Sequence, residues 1–179
     1  ERRFLDAISF ANTLAGEIRG RVLEVGAGVG WASAIVSKIP SVQQVISNDI
    51  SKHRLIKIAP RIFEQWDGEM NKLSTVIGDF LTLSWEEQSF NVIIFCQSLY
   101  MFSNLNKVLT KVNKLLVNSG LLIVACERIV QEYPIFNYKY LKRKLVILLR
   151  GRADLSGNHG YVDSEYRHSI EKSGFKYHF

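Results

Sequence analysis

The stretch "VLEVGAGVGW", residues 22–31, constrains the fold most, because a short apolar run leads directly into three alternating glycines. Residues 22–25 have the composition of a buried strand, and Gly26, Gly28 and Gly30 follow it. Glycines at this density cost conformational entropy, which is offset where the backbone must turn tightly or lie close to a ligand. The stretch therefore predicts a strand that ends in a ligand-binding loop.

Strand and helix patterns alternate along the rest of the chain. Short apolar runs predict strands at residues 22–25, 44–47, 75–77, 91–96, 121–126 and 175–179. Helical spacing predicts helices at residues 4–18, 32–39, 51–66, 105–116, 135–150 and 163–173. Pro60 is expected to kink or divide the third helix, and the sequence Asn118-Ser119-Gly120 to end the fourth. This alternation predicts a doubly wound, mainly parallel sheet in a three-layer α/β/α arrangement, built as one domain over residues 1–179.

Composition excludes several broad classes. The chain has 179 residues, of which 47% are hydrophobic, and this suits a globular domain rather than a disordered chain. No apolar run approaches the ~20 residues needed to cross a bilayer. The cysteines, Cys96 and Cys126, each end an apolar run, which favours free thiols in a reducing, cytoplasmic location. Because the first residue is Glu1 and not Met, the lack of a visible leader segment carries little weight.

A dinucleotide-binding loop is one interpretation of the glycines. Such a loop spaces its glycines as G-x-G-x-x-G after a strand, and the third position lies where helix and strand pack closely. Counted from Gly26, that position is Trp31, whose indole would push the helix away. A NAD(P)-binding Rossmann protein therefore fits the spacing poorly, and it stays open as the alternative.

The acid before the glycines favours another interpretation. Glu24 precedes Gly26 by two residues, so the stretch is E-x-G-x-G-x-G. This resembles the first motif of the class I S-adenosylmethionine-dependent methyltransferases. The resemblance implies that the loop Gly26, Ala27, Gly28 and Gly30 lies close to the methionine and ribose part of the cofactor. It also implies that Glu24 orients the loop and the methionine amino group, partly through water.

Later motifs extend this resemblance over nearly the whole chain, in the family's order. In "VISNDIS" the acid Asp49, followed by Ile50, ends the second strand about 20 residues after the glycines, where a ribose-binding acid is expected. In "IGDFLTL" the resemblance implies that Asp79 accepts from the adenine amino group and that the Phe80 N–H binds a ring nitrogen. Asn91 and Ser119 depart from the family's commoner residues, and the family's seventh strand is missing.

The family places the transferred methyl group beside the end of the fourth strand. The resemblance therefore puts Cys96 with the cofactor. It makes Gln97, near the methyl acceptor, a candidate catalytic residue together with His159 and Tyr161. The sequence "CQSL" lacks the D/N-P-P-Y/F motif of many amino-methylating nucleic-acid enzymes, and the motifs that accompany a cysteine nucleophile are absent. No group of carboxylate or amide oxygens indicates a metal site. A buried structural thiol is the simpler interpretation of Cys96.

The acceptor side of the site is the least specified. His159 and Tyr161, in "GNHGYVD", precede the last predicted helix, where relatives of this type close over the acceptor, and His159 is a candidate base. The resemblance makes residues 128–160 a substrate-side insertion.

The net charge of +6 is concentrated at residues 139–152, which hold six basic residues and no acid. They could bind an anionic small-molecule acceptor, a nucleic acid or a membrane surface, or form a solvated helix face. A non-catalytic scaffold subunit that binds the cofactor also stays open, and the sequence does not specify the oligomeric state.

Overall fold

Apolar strands and amphipathic helices alternate in the computed structural model, which describes residues 1–131, Lys139 and residues 159–178. The chain divides into two compact units. The first is formed by Glu1–Ser98 and Lys114–Cys126, and the second by Leu99–Asn113 and Glu127–Phe179. The single domain expected over residues 1–179 stays a prediction. The basic segment at 139–152 lies outside the described residues except for Lys139.

The first unit holds the sheet. Its strands are β1 (Gly20–Val25), β2 (Val42–Asp49), β3 (Leu73–Ile77), β4 (Phe90–Cys96) and β5 (Leu116–Ala125). Its helices are α1 (Arg2–Ala15), α2 (Trp31–Ser37) and α3 (Ala59–Gln65). Helix α4 (Leu105–Leu115) runs along the chain from the second unit into the first, and α5 (Asp163–Lys172) belongs to the second. No helix within the described ranges is both long and apolar enough to cross a bilayer.

All five strands are parallel, in the order β3-β2-β1-β4-β5. The chain therefore winds outward from β1 in one direction through β2 and β3, and in the other through β4 and β5. In such a sheet the point where the winding reverses opens a crevice beyond the carboxyl ends of the two central strands. Here those strands are β1 and β4. The predicted doubly wound sheet is confirmed, and the glycine loop lies at its reversal point.

The indole of Trp31, which follows the glycine loop, packs among other aromatic side chains. Trp31 begins α2, and its ring meets Phe4 of α1 edge-on, with 5.3 Å between centroids. The ring of Trp66 lies tilted to it, with 6.1 Å between centroids. The indole thus joins the apolar core formed by α1, α2 and the central strands. Trp31 therefore packs α2 against α1 and is not a loop residue.

Pro60 divides the predicted third helix as expected. A π-helical turn, Arg54–Ile58, comes first and α3 follows, with Pro60 in its first turn. Proline has no N–H to donate to the preceding turn, so the regular helical bonding pattern is interrupted there.

Two predicted features differ from the structure. The turn expected at residues 118–120 lies inside β5: Phe90 pairs with Leu116 but Val92 pairs with Leu121, so the intervening residues form an irregularity in a continuing strand. The strand predicted at 175–179 is not formed over residues 175–178, the part of that range that the structure describes. The alternating apolar pattern there is short, and only the turn at Ser173 and Gly174 separates it from α5.

Candidate functional site

The three glycines of the loop all have left-handed backbones, with φ of 70°, 58° and 79° at Gly26, Gly28 and Gly30. A Cβ on Gly26 would lie 2.6 Å from the Cβ of Ser98, and one on Gly30 would overlap the ring of Phe63. A Cβ on Gly28 would meet nothing within 4 Å. The outer glycines are therefore needed for packing, whereas the middle one leaves open space beside a bent backbone.

Asp49, at the end of β2, holds this bend. The Gly28 N–H donates to Asp49 Oδ2 at 2.8 Å, and the Ser51 N–H donates to Oδ1 at 2.8 Å. Asp49 is buried, with 7% of its surface exposed. A carboxylate has about four lone-pair positions, so each oxygen retains the capacity to accept one further hydrogen bond. Two vicinal hydroxyls, such as those of a ribose, match that remaining capacity.

Glu24 is almost completely enclosed by the protein. It is 3% exposed, and it accepts a short hydrogen bond from the hydroxyl of Ser33 in α2. The Ser47 hydroxyl of β2 donates in turn to Ser33 Oγ at 2.7 Å. Burial raises the pKa of Glu24 to about 7, against the opposing effect of the Ser33 hydrogen bonds, and the Asp49 charge raises it slightly further. Its part in orienting a cofactor amino group stays a prediction.

The ends of β2 and β3 are tied together. The Gly78 N–H donates to the Asp49 carbonyl at 3.0 Å, and the Asn48 side chain donates to the carbonyls of Val76 and Gly78, each at 3.0 Å. These bonds place the residue that follows Gly78, Asp79, at the same edge of the sheet as Asp49. Asn48 carries no signal in the sequence, because a polar residue in a strand can equally bond to a neighbouring strand or face solvent.

The candidate adenine-binding residues differ in exposure. Ile50 exposes 71% of its surface directly after the buried Asp49, which provides an apolar face of the kind a flat base can cover. Asp79 is exposed, and its Oδ1 accepts from the Leu81 N–H at 2.8 Å. The Phe80 ring is buried and lies edge-on to Phe95, with 6.2 Å between centroids. Phe80 could therefore contribute its backbone to a ligand but not its ring.

The end of β4 is held against the glycine loop. Cys96 is buried in the core, which agrees with a structural thiol. Gln97 is exposed and has a φ of 57°, which is uncommon for a residue with a side chain. The Gln97 N–H donates to the Ala125 carbonyl at 3.1 Å. The hydroxyl of the next residue, Ser98, donates to the Val25 carbonyl at 2.6 Å. Both neighbouring strands thus fix the backbone that displays Gln97.

The second unit contains the remaining two candidates. The His159 N–H donates to the Tyr100 carbonyl at 2.9 Å, and the Tyr161 hydroxyl donates to the Phe102 carbonyl at 2.8 Å. The carboxylate of Glu127 accepts from the N–H groups of Leu99 and Tyr100, at 3.1 and 3.0 Å. The structure therefore brings His159 and Tyr161 together with residues 99–102. Their predicted roles stay predictions, because the cofactor candidates belong to the first unit.

The groups at the strand ends of the first unit suit S-adenosyl-L-methionine. Asp49 retains acceptor capacity for a diol, Ile50 offers an apolar face, and Gly28 leaves space beside the backbone. Ser33 and Ser98, which are not among the predicted site residues, position the groups around this space. Serines have no distinctive spacing here, so only the packing identifies them.

Comparison with known proteins agrees with this fit. The family model described as "Methyltransferase domain" matches residues 23–124, a range that extends from β1 into β5. A highly reducing polyketide synthase from Aspergillus aculeatus, acrA, is 30% identical over 131 residues, covering 68% of this chain. The chain spans 5% of the length of that synthase.

Solved structures share the fold. The YcgJ protein from Bacillus subtilis superimposes with a TM-score of 0.72 at 22% identity, over 97% of this chain and 70% of its own. A phosphoethanolamine N-methyltransferase from Haemonchus contortus, solved with S-adenosyl-L-methionine, gives 0.69 at 14% identity, over 96% of this chain and 36% of its own. The resemblance seen in the sequence is confirmed, as is S-adenosyl-L-methionine as the expected cofactor. This chain belongs to the methyltransferase domain family.

Proposed function

We propose that this chain transfers a methyl group from S-adenosyl-L-methionine to a small-molecule acceptor. The observation that carries the proposal is the hydrogen bond from the Gly28 N–H to Asp49, which joins the glycine loop to the ribose-binding candidate at one edge of the sheet. The family membership and the open space at Gly28 support it. A scaffold subunit that binds the cofactor without transferring its methyl group would share this arrangement, so the transfer assay below separates the two.

Each candidate residue has a proposed task. Glu24 and the loop Gly26, Ala27, Gly28 and Gly30 hold the methionine end of the cofactor. Asp49 binds the ribose, whereas Ile50, Asp79 and Phe80 enclose the adenine. Cys96 closes the cofactor side at the end of β4. Gln97, fixed in a left-handed conformation, faces the acceptor.

Positioning accounts for much of the expected catalysis. When bound, S-adenosyl-L-methionine supplies an electrophilic methyl group that already carries its leaving group. The chain's task is then to hold the acceptor in line with the bond between the methyl carbon and the sulfur, and to exclude water. These two effects can provide a large share of the rate acceleration. We assign His159 and Tyr161 to the acceptor side, with His159 as the candidate base. A pH–rate profile unchanged by His159→Ala would remove that role.

The acceptor itself is proposed only as a class. The Haemonchus contortus relative methylates phosphoethanolamine, a small molecule, according to its name. The basic segment at 139–152 could serve an anionic acceptor, a nucleic acid or a membrane surface, and loss of salt-dependent binding after neutralising it would support this. The two free thiols favour a reducing location such as the cytoplasm.

A labelled-methyl assay tests the proposal. The protein is incubated with S-adenosyl-L-methionine that carries a tritiated methyl group, and with fractions of a small-molecule cell extract. We expect label to appear in at least one fraction with the wild-type protein, and much less label with Asp49→Ala when the cofactor concentration is kept low. Tight cofactor binding without transfer into any fraction would favour the scaffold alternative, and NAD binding would favour the dinucleotide one.

A further inference from the structure

A buried chain of hydroxyls leads to Glu24. The Ser47 hydroxyl of β2 donates to Ser33 Oγ, and the Ser33 hydroxyl of α2 donates to the Glu24 carboxylate of β1. Ser33 is 1% exposed, Ser47 is 0% exposed, and Glu24 is 3% exposed. Three elements thus contribute one polar group each to a water-excluded line beside the glycine loop. Burial of an ionisable group at this depth requires a reason, because an isolated buried charge is costly.

Hydroxyls suit a carboxyl group that changes its protonation state. A serine hydroxyl is both a donor and an acceptor, so Ser33 can donate to an ionised Glu24 or accept from a protonated one. The pKa of Glu24, raised by burial to about 7, makes both states accessible near neutral pH. An alanine at position 33 would lose the hydroxyl and keep only the backbone N–H, which can donate to the ionised carboxylate but cannot accept from the protonated one.

The charges around Glu24 leave it without a built-in counterion. Its register partners are Ser47 in β2 and Ile94 in β4, and α2 contains no ionisable residue. Asp49 in β2 is the charged side chain that acts on it, and its sign disfavours ionisation of Glu24. Within the described residues, the elements packed around Glu24 therefore bring no positive charge to it. A cationic ligand in the glycine loop would supply one.

We propose that the Ser47–Ser33–Glu24 chain couples ligand binding to proton release. In the free protein Glu24 is partly protonated at neutral pH. When the ammonium group of the cofactor enters the loop, Glu24 ionises and its proton passes to the solvent, while Ser33 donates to the resulting carboxylate. Ser33 and Ser47 are positioning residues in this scheme. The inference rests on the proposed placement of the methionine end beside Glu24.

Calorimetry with S-adenosylhomocysteine tests this coupling, because the ligand retains the ammonium group but cannot transfer a methyl. Titrations at about pH 7 in phosphate and in Tris, which differ in ionisation enthalpy, report the protons released. We expect about half a proton per binding event, and an affinity that rises about fivefold from about pH 6 to about pH 7. Glu24→Gln should abolish the release. Ser33→Ala should move the pH range of the affinity change upward.

Ser37→Ala is the matched control. Ser37 is a fully buried serine of the same helix, but its hydroxyl donates to the Ala34 carbonyl at 2.7 Å, and it accepts from the Glu69 N–H at 2.9 Å. Its loss should leave the proton release unchanged. A wild-type protein that binds without releasing protons, or a Ser33→Ala protein with an unshifted pH range, would overturn the inference.

A measurement on the wild-type protein alone keeps the test valid if a variant fails to fold. The side-chain carboxyl carbon of Glu24, observed by NMR in the wild-type protein, should titrate near neutral pH when free. It should remain ionised over the same range when S-adenosylhomocysteine is bound. A Glu24 carboxyl that is ionised in both states contradicts the coupling alone, whereas absence of any ligand binding at all contradicts the proposed function.

Discussion

Asp49 is the residue whose loss should weaken ligand binding most. It holds the Gly28 N–H and retains acceptor capacity for two ligand hydroxyls. Hydrogen bonds to a charged group are worth about 1.5–3 kcal/mol, so Asp49→Ala should weaken S-adenosylhomocysteine binding by that amount. Calorimetry at fixed pH measures the change, with Asp79→Ala as a comparison in which the lost carboxylate is solvent-exposed. Wild-type affinity in the Asp49→Ala protein would refute the ribose assignment.

Glu24 should make the free protein less stable as the pH rises. Its pKa is about 7 in the folded state and 4.5 in the reference state, so between these values the folded state binds more protons than the unfolded state. Stability therefore falls as pH increases from about 4.5 to 7, by up to about 3 kcal/mol. Glu24→Gln should remove this contribution.

Urea unfolding at several pH values between about 5 and 8, on both proteins, isolates the contribution of Glu24. The difference between wild type and Glu24→Gln cancels the other titrating groups. Parallel pH profiles would show that Glu24 has an ordinary pKa. The sign of the change in stability with pH is also informative. A carboxyl held in an ion pair would make the protein more stable, not less stable, as the pH rises.

At the scale of elements, the ends of β1 and β4 lock together through Gly26 and Ser98. Gly26→Ala should be strongly destabilising, because the left-handed backbone costs about 1–2 kcal/mol with a side chain and the new Cβ would lie 2.6 Å from the Ser98 Cβ. Adding Ser98→Gly removes that overlap. Chemical denaturation of the two single variants and the double variant should give a favourable coupling of about 1–2 kcal/mol.

Gly28→Ala provides the control for this pair. Its Cβ would meet nothing within 4 Å, so only the backbone strain of about 1–2 kcal/mol applies. Combined with Ser98→Gly, its effect should be additive. Coupling of the same size in both pairs would mean that Ser98 stabilises the loop generally and does not pack against Gly26 in particular.

Elements were predictable from the sequence where one local pattern specified them. The apolar run before Gly26 and the division at Pro60 depend on neighbouring residues, and both are confirmed. The course of β5 was not predictable, because the pairing of Val92 with Leu121 is decided by the partner strand. The same holds for Ser33 and Ser98, whose functions arise from contacts over 9 and 73 residues of sequence. The ligand class was predictable because acids at successive strand ends repeat a known spacing.

At the scale of the whole molecule, the parallel sheet decides which ligand its crevice can bind. The strand order places the ends of β1, β2 and β4 around one reversal point, with Glu24, Asp49 and Gln97 at or near those ends. Two of the three are acidic. A dinucleotide would bring its pyrophosphate to the loop after β1, where binding of phosphate requires uncompensated N–H groups. Here the Gly28 N–H is already bonded to Asp49, and Glu24 lies two residues before the loop.

The protein should therefore bind S-adenosylhomocysteine and discriminate against NAD. A ligand that binds only the folded state at about 100 times its Kd raises stability by about 2.7 kcal/mol, which is readily seen as an increase in Tm. We expect that increase with S-adenosylhomocysteine and no change with NAD at the same concentration. Adenosine serves as the control, because it carries the ribose and adenine without either the amino acid or the pyrophosphate. Adenosine should bind weakly whether the loop accepts an amino acid or a pyrophosphate. The difference between the increases in Tm with S-adenosylhomocysteine and with NAD therefore reports on the glycine loop alone. An increase in Tm with NAD that exceeds the one with S-adenosylhomocysteine would mean that the loop accepts a pyrophosphate despite Asp49 and Glu24.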